Sequence, residues 1–348
     1  MEHYEVAIVG AGQAGITIGY YLKKEKVPFI ILDKNEKAGD SWRKRYDSLI
    51  LFTPRKYSSL PGLHMNGLPE GLPTKQEMAD YLTEYVNYFK LPILNNVTVE
   101  KLDKIKGFFY LDTNKGIVGA KKVVIATGAF QKPYVPSFAK TAEESFYQLH
   151  SAAYRSPDQL PGHSVLIVGG GNSGAQIAVE LSKEKTVTIA VNHPFKFLPL
   201  YLFGKSIFDW LKFTGLLYAG INTTKGNWFR KQKDPVFGQE LKACIEQGKV
   251  DVKPKVIGIE GKTVVFQDNS QQSFDSIIWS TGFVPSYDWI TVEGVVSSEG
   301  KPIHERGVSP IKGMYFIGLP WQHQRGSALI CGVDLDAKFL IHRILEKD

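Results

Sequence analysis

The sequence predicts an α/β protein of two similar parallel-sheet units, the second inserted into the first. Three observations carry that expectation. A strand–glycine–helix–strand run opens the chain, a second copy of it begins near the middle, and two apolar strands each end in Thr-Gly. Val6-Ala7-Ile8-Val9 is a short apolar run suited to a strand buried on both faces. It leads into Gly10-Ala11-Gly12-Gln13-Ala14-Gly15, then into residues 16–25 with helical spacing; a second apolar run, Phe29-Ile30-Ile31-Leu32, ends in Asp33. This is the βαβ fingerprint of a Rossmann-like dinucleotide site. Its glycines permit a tight turn and close approach of the backbone to a pyrophosphate. The helix N-terminus turns free N–H groups toward that anion, and the acid about 20 residues on accepts from ribose hydroxyls.

Composition narrows the rest. The 348 residues leave room for two domains, and 43% hydrophobic with 22% charged residues is ordinary for a globular chain. The net charge of +7 includes no block of Lys and Arg, and anionic cofactors account for part of it, so no nucleic-acid partner is expected. Cys244 and Cys331 stand far apart with no CxxC, which argues against a disulfide framework, a zinc site or a dithiol redox pair, and suits the cytoplasm. No metal site is expected. The first strand starts almost at Met1, leaving no room for a signal peptide, and no apolar run reaches the ~20 residues of a membrane span.

After Asp33 a polar stretch precedes Asp40-Ser41-Trp42-Arg43, and residues 49–73 form an apolar, Pro-punctuated loop that reads as a wall or lid. Thr74-Lys75-Gln76-Glu77 is a capping box. Met78, Tyr81, Leu82, Tyr85, Val86 and Phe89 follow at helical spacing, so residues 74–90 are an amphipathic helix. Val97-Thr98-Val99, residues 108–111 and Ile117-Val118 suggest a short antiparallel excursion. Residues 123–128 then make another buried strand, closing on Thr127-Gly128. Residues 131–161, irregular and rich in Pro, Tyr and Ser, read as a linker.

Beyond it the opening pattern returns. Val165-Leu166-Ile167-Val168 runs into Gly169-Gly170-Gly171-Asn172-Ser173-Gly174, a helical stretch to Leu181 and a strand over 187–191. Residues 277–282 close this half on Thr281-Gly282, as Thr127-Gly128 close the first. Met314-Tyr315-Phe316-Ile317-Gly318 is a further buried strand, followed by a helix over about 331–345. The expected division is a discontinuous domain of residues 1–157 and 283–348 around an inserted domain of 158–282. Two nucleotide units in one chain suggest one nucleotide held permanently and another that visits.

The paired fingerprints, Gly39-Asp40-Ser41-Trp42-Arg43, Tyr46-Asp47-Ser48-Leu49, the Thr-Gly strand ends and the closing Tyr-Phe-Ile-Gly resemble the flavin-containing monooxygenases over nearly the whole chain. The likeness is closest to the small bacterial members and the auxin-forming plant enzymes. It implies FAD on the first unit and NADPH or NADH on the second. By carry-over, FAD is held by Gly10, Gly12, Gln13, Ala14, Gly15, Asp33, Lys34, Trp42, Arg43, Val99, Thr127 and Gly128. The nicotinamide coenzyme is held by Gly169, Gly171, Asn172, Ser173, Gly174, Asn192, His193, Thr281 and Gly282. A packed core aromatic is the bland alternative for Trp42.

Three departures qualify the likeness. Larger members place an asparagine after the Tyr-x-x-Leu element to support the oxygenated flavin, where this chain has Phe52, whose ring donates no hydrogen bond. The fingerprint Phe-x-Gly-x-x-x-His-x-x-x-Tyr is half present: His150 and Tyr154 match, but Glu144 and Phe146 replace its Phe and Gly, and His150 serves equally as a satisfied linker histidine. Where an acid selects NADH and an arginine NADPH, the chain has Asn192 and His193, so use of both coenzymes is expected, with Lys196 beside them.

The implied function is an FAD-dependent NAD(P)H monooxygenase, taking hydride and O2 and oxygenating a soft nucleophile or a ketone. Two alternatives stay open: an NAD(P)H-dependent reductase of a disulfide, quinone or ferredoxin-type acceptor, and a redox-sensing flavoprotein serving a transporter. The expected partners are a small-molecule substrate and O2. The apolar stretch 195–221 is left as a roof over a substrate channel, a homodimer interface or a membrane-surface helix.

Overall fold

The computed structural model describes residues 2–346; residues 1, 347 and 348, the outer limits of the expected division, lie outside them. The first sheet follows from the opening pattern. Strand β1 (Glu2–Val9), helix α1 (Gln13–Lys24) and strand β2 (Phe29–Asp33) start a sheet in which β1 lies parallel to β2 and to β6 (Gly116–Ile125). Ile8 sits between Ile31 and Val124, all fully buried or nearly so, which is why residues 6–9, 29–32 and 123–125 are apolar on both faces. After the four-residue helix α2 (Asp40–Arg43), helix α3 (Lys75–Phe89) starts on the Thr74/Glu77 capping box and leads to β3 (Ile93–Asn95). The excursion appears as β4 (Val99–Ile105) and β5 (Phe108–Thr113), giving the order β3-β2-β1-β6-β5-β4.

Strand β6 differs from the two separate runs that the sequence suggested. It is one ten-residue strand, antiparallel to β5 along its first half. Lys122, which interrupts the apolar pattern, is accommodated because its ammonium donates to Ile344 O at the end of the last helix, where helix carbonyls favour a cation.

The second sheet is built from β7 (Tyr147–His150), β8 (Ser164–Val168), β9 (Thr186–Ala190), β10 (Val250–Lys253) and β14 (Ser276–Trp279), in the order β10-β9-β8-β14-β7 and all parallel. Helix α4 (Asn172–Leu181) is its glycine-led crossover. Between β10 and β14 a three-stranded antiparallel meander, β11 (Val256–Glu260), β12 (Thr263–Phe266) and β13 (Gln271–Ser273), repeats the excursion of the first half. Helices α5 (Ile207–Phe213), α6 (Thr224–Arg230) and α7 (Glu240–Glu246) fill the long connection after β9.

Strand β7 corrects the reading of 131–161 as linker: it is the edge strand of the second sheet and lies ahead of the boundary expected at 158, with His150 beside Trp279. Strand β15 (Met314–Phe316) then returns to the second half of β6, in parallel, and helix α8 (Ile330–Leu345) packs on α1. The insertion of one Rossmann-like unit into the other is thereby observed. The two connections between them, residues 132–133 and 283–284, pair antiparallel side by side, with Arg45 stacked over Phe130 and Phe283 at their margin.

Candidate cofactor sites and the contact between them

The two glycine loops match atom for atom in what they exclude. Gly10 and Gly169 have φ of +107° and +112°, and a Cβ on either would lie 2.6 Å from Ala126 O or 2.4 Å from Ser280 O, the backbone at the ends of β6 and β14. A Cβ on Gly15 or Gly174 would lie 1.8 Å from Gly10 O or 2.2 Å from Gly169 O, so both helices start pressed against their own turn. The middle glycines are the opposite. Around Gly12 and around Gly171 nothing comes within 4 Å of an added Cβ.

Both middle glycines cap their helices in extended conformation with no side-chain cap. The N–H groups of residues 13–15 and 172–174 precede the first helical bonds, from Ile16 N–H to Gly12 O (3.1 Å) and from Ala175 N–H to Gly171 O (2.9 Å). Each loop is therefore a concave row of donors at a positive helix end with space before it, the arrangement that a pyrophosphate fits. At the first loop Asp33 Oδ2 accepts from Ala11 N–H (2.5 Å) and Oδ1 from Asn35 N–H (2.7 Å), holding the carboxylate at the loop's mouth.

Two hydrogen bonds and an aromatic stack join the units beside the second loop. Tyr46 donates to Gln176 Oε1 (3.0 Å) in the second turn of α4, and Gln176 Nε2 donates to Ile50 O (2.9 Å). Asn172 Oδ1 accepts from Phe237 N–H (2.8 Å). Phe237 in turn stacks on Phe52, centroids 4.5 Å apart and planes 15° apart, with Phe208 parallel to Phe52 at 6.3 Å. Phe52 thus occupies an apolar seam with Tyr57, Ile207 and Leu217, one contact from the second glycine loop. A cavity of about 1430 Å³ opens beside Gly128 and Leu319, with Gln131, Tyr287, Arg306 and Trp321 among its walls.

Residues 7–197 match the pyridine nucleotide-disulphide oxidoreductase family, and residues 202–338 match the flavin-binding monooxygenase-like family. The chain is 52% identical over 346 residues, 99% of both chains, to an "uncharacterized oxidoreductase CzcO-like" of Geobacillus kaustophilus. It is 28% identical to the "probable indole-3-pyruvate monooxygenase YUCCA4" of Arabidopsis thaliana, over 92% of this chain and 86% of that one. Among solved structures, a flavin-containing monooxygenase from Stenotrophomonas maltophilia superposes with a TM-score of 0.83 at 27% identity, covering 99% and 98% of the two chains. The chain belongs to the flavin-containing monooxygenase family. As a member it is a flavin-dependent oxidoreductase that also uses a pyridine nucleotide. A bacillithiol disulfide reductase from Bacillus cereus, at TM-score 0.76 and 18% identity over 99% of both chains, shares the fold alone.

The remaining family positions fall into place unevenly. Thr127 Oγ1 and Gly128 O both accept from Gln131 Nε2 (2.9 Å each), while Gln131 Oε1 accepts from Ser286 N–H (2.6 Å), so Gln131 bridges the two connections. Nothing in the sequence singled it out. Gly318, a Cβ on which would lie 2.9 Å from Ala14 Cβ, brings the closing strand against the first loop. Arg43 turns to Asp40 (2.9 Å), Asp80 (3.0 Å), Thr83 and Ala38 O, binding α2 to α3. Trp42 packs on the core beneath them, Val99 opens β4 half-buried, and Lys34 is exposed just past Asp33. At the second loop Asn172 Nδ2 also donates to Pro235 O (3.1 Å), and Ser173 faces the Tyr46 hydroxyl. Asn192 is exposed, and His193 Nδ1 lies 3.0 Å from Pro194 O. Thr281 donates to Tyr134 O.

His150 is a satisfied strand histidine. Nε2–H donates to Gly282 O (2.9 Å), Nδ1 accepts from Ala152 N–H (3.1 Å), and burial, with Arg45 nearby, lowers its pKa below the usual ~6.5. Its contribution to stability is therefore complete above about pH 6.5 and is lost as pH falls through the lower folded value. The melting temperature is expected to drop between about pH 7 and pH 5 more steeply in the wild type than in His150→Gln; equal slopes in a fluorimetric melt would remove His150 from this role. Burial pushes the Cys331 thiol up to about 12, so it is no thiolate at neutral pH. Among the described residues no three His, Cys, Asp or Glu side chains gather where they could hold a metal ion.

Proposed function

We propose that the chain is an FAD-dependent NAD(P)H monooxygenase that oxygenates a soft nucleophile, such as a thioether or amine, or a ketone. The pair of open, uncapped glycine loops at equivalent points of an inserted repeat carries this, together with the family. Gly10, Gly12, Gln13, Ala14 and Gly15 would hold the FAD pyrophosphate, with Asp33 toward its ribose. Gly169, Gly171, Asn172, Ser173 and Gly174 would hold that of the coenzyme. Bound there, the flavin would accept hydride from the nicotinamide and supply the chemistry of oxygen activation. The protein's part is to position and to dry the site: Tyr46 and Gln176 register the two units, and the Phe52, Phe208 and Phe237 rings keep water from the seam between them. We assign the cavity beside Gly128 to the substrate.

The test is stoichiometry. Purified protein is expected to release FAD on denaturation and to form about one sulfoxide, N-oxide or ester per NAD(P)H oxidised. Hydrogen peroxide matching all NAD(P)H consumed, with no oxygenated product across thioethers, amines and ketones, would sink the proposal. It would favour the reductase reading, which one observation supports: Phe52, with no hydrogen bond to give, stands where larger family members carry an asparagine. Against that reading stand the protonated Cys331 and the absence of a cysteine pair.

Coenzyme choice is a second measurable consequence. Neither Asn192 nor His193 carries a fixed charge toward a ribose, and Lys196 extends to Gln232 (3.5 Å). Stopped-flow reduction is expected with both NADH and NADPH; a ratio above about a hundredfold, roughly 2.7 kcal/mol, would contradict it.

A further inference from the structure

The stretch 195–221 has two sides. Its inner residues, Ile207, Phe208 and Leu217, close on Phe52 and Tyr57, whereas its outer ones are open to solvent: Phe203 is 86% exposed and Phe213 83%. Phe203 tips the hairpin formed by Tyr201–Leu202 and Lys205–Ser206, and Phe213 ends α5. Trp210 joins them, its ring centroid 6.3 Å from Phe203 and 6.2 Å from Phe213. Leu202, 40% exposed, accepts the Trp210 indole N–H through its carbonyl (2.9 Å), so the hairpin and helix hold one aromatic ridge together.

Phe203 makes little sense as packing. It has φ of +50° and is followed by Gly204 at +72°, the pair of left-handed conformations that a two-residue turn fills most easily with Asn-Gly. A large aromatic there is strained, and beyond the edge of Trp210 it leaves most of its ring in solvent.

Charge decides what covers it. Residues 196–233 contain seven Lys and Arg against one acid, Asp209. That acid is turned inward, accepting from Lys56 (2.7 Å) and the Tyr57 hydroxyl (2.7 Å). Exposed Lys205 and Lys212 flank the two phenylalanines, and Lys225 reaches Thr214 O (2.9 Å) at the end of α5. In a two-fold pairing of copies through this ridge, these ammonium groups would face one another. We propose that the ridge of Phe203, Trp210 and Phe213 with Lys205 and Lys212 docks the enzyme on an anionic lipid bilayer. The rings enter the interfacial zone and the lysines meet phosphate headgroups. The docking is peripheral, since no helix among the described residues is long and apolar enough to cross a membrane.

The experiment is flotation of the full-length holoenzyme with vesicles of phosphatidylcholine alone or with about a third phosphatidylglycerol. Binding is expected only with the anionic vesicles and is expected to weaken as salt is raised. The double variant Phe203→Asn/Phe213→Ser should lower the partition coefficient at least tenfold, with flavin content and NAD(P)H oxidation unchanged. Asn suits φ near +50°, so Phe203→Asn alone should melt no lower than the wild type. Lys205→Glu/Lys212→Glu, which spares the rings, should abolish the preference for anionic lipid. Equal flotation with neutral and anionic vesicles, or undiminished binding by both double variants, would overturn the proposal. So would a wild-type dimer in light scattering that Phe203→Asn/Phe213→Ser turns into monomer, which would assign the ridge to a second copy.

Discussion

Gly12→Ala is expected to give a colourless protein that is at least as stable as the unliganded wild type. An added Cβ at Gly12 meets nothing within 4 Å, and φ of −72° with ψ of 179° is open to any residue. The polypeptide therefore has no reason to object, and loss of glycine's freedom in the unfolded chain even favours the variant by about 0.4–1 kcal/mol. The methyl group would stand where the backbone must approach a pyrophosphate. FAD affinity is expected to fall at least about a hundredfold, roughly 2.7 kcal/mol, in a fluorescence titration of apoprotein. Gly15→Ala is the contrasting control: its methyl would lie 1.8 Å from Gly10 O, so it should damage folding and flavin binding together. A Gly12→Ala protein that purifies yellow with full FAD occupancy would place the flavin's phosphates elsewhere.

Gly171→Ala should separate the two nucleotides. The surroundings of Gly171 are equally empty, so stability and FAD content are expected to hold while half-saturation for NADH and NADPH rises at least about thirtyfold, roughly 2 kcal/mol. Anaerobic reduction followed at the flavin band reads this directly. If both coenzymes reduce the variant at wild-type concentrations, the inserted unit is not where they bind.

The parts of the molecule legible from sequence are those where local chemistry and burial demand the same residues. Residues 6–9 of β1 and 165–167 of β8 are buried on both faces and must be apolar; Gly10 and Gly169 require a conformation, and Gly15 and Gly174 a closeness, that no other residue provides. Helix α3 declares its start through Thr74 and Glu77. Strand β7 is different. Its four residues, Tyr147-Gln148-Leu149-His150, carry no apolar run, and its place is set from outside, by pairing with β14 and by the Trp279 indole donating to Gln148 Oε1 (3.0 Å). Strand β6 was split in reading because Lys121 and Lys122 interrupt it, and only the distant end of α8 explains Lys122.

The site divides in the same way. The glycine loops were legible as local motifs, but the seam was not, since Phe52, Phe208 and Phe237 meet from three widely separated stretches. Arg43 shows the reverse: it matches a family pattern, yet its guanidinium is taken up by Asp40, Asp80 and Thr83.

The pairing of residues 132–133 with 283–284 has a mechanical corollary. The chain leaves and rejoins the outer unit one interstrand spacing apart, ~4.8 Å, so the 150-odd residues between form a pouch drawn shut at its neck. Its bulk adds little to the entropy of closing that loop. Any swing of the pouch about that neck would have to part Tyr46 from Gln176, Phe52 from Phe237, and Lys56 and Tyr57 from Asp209.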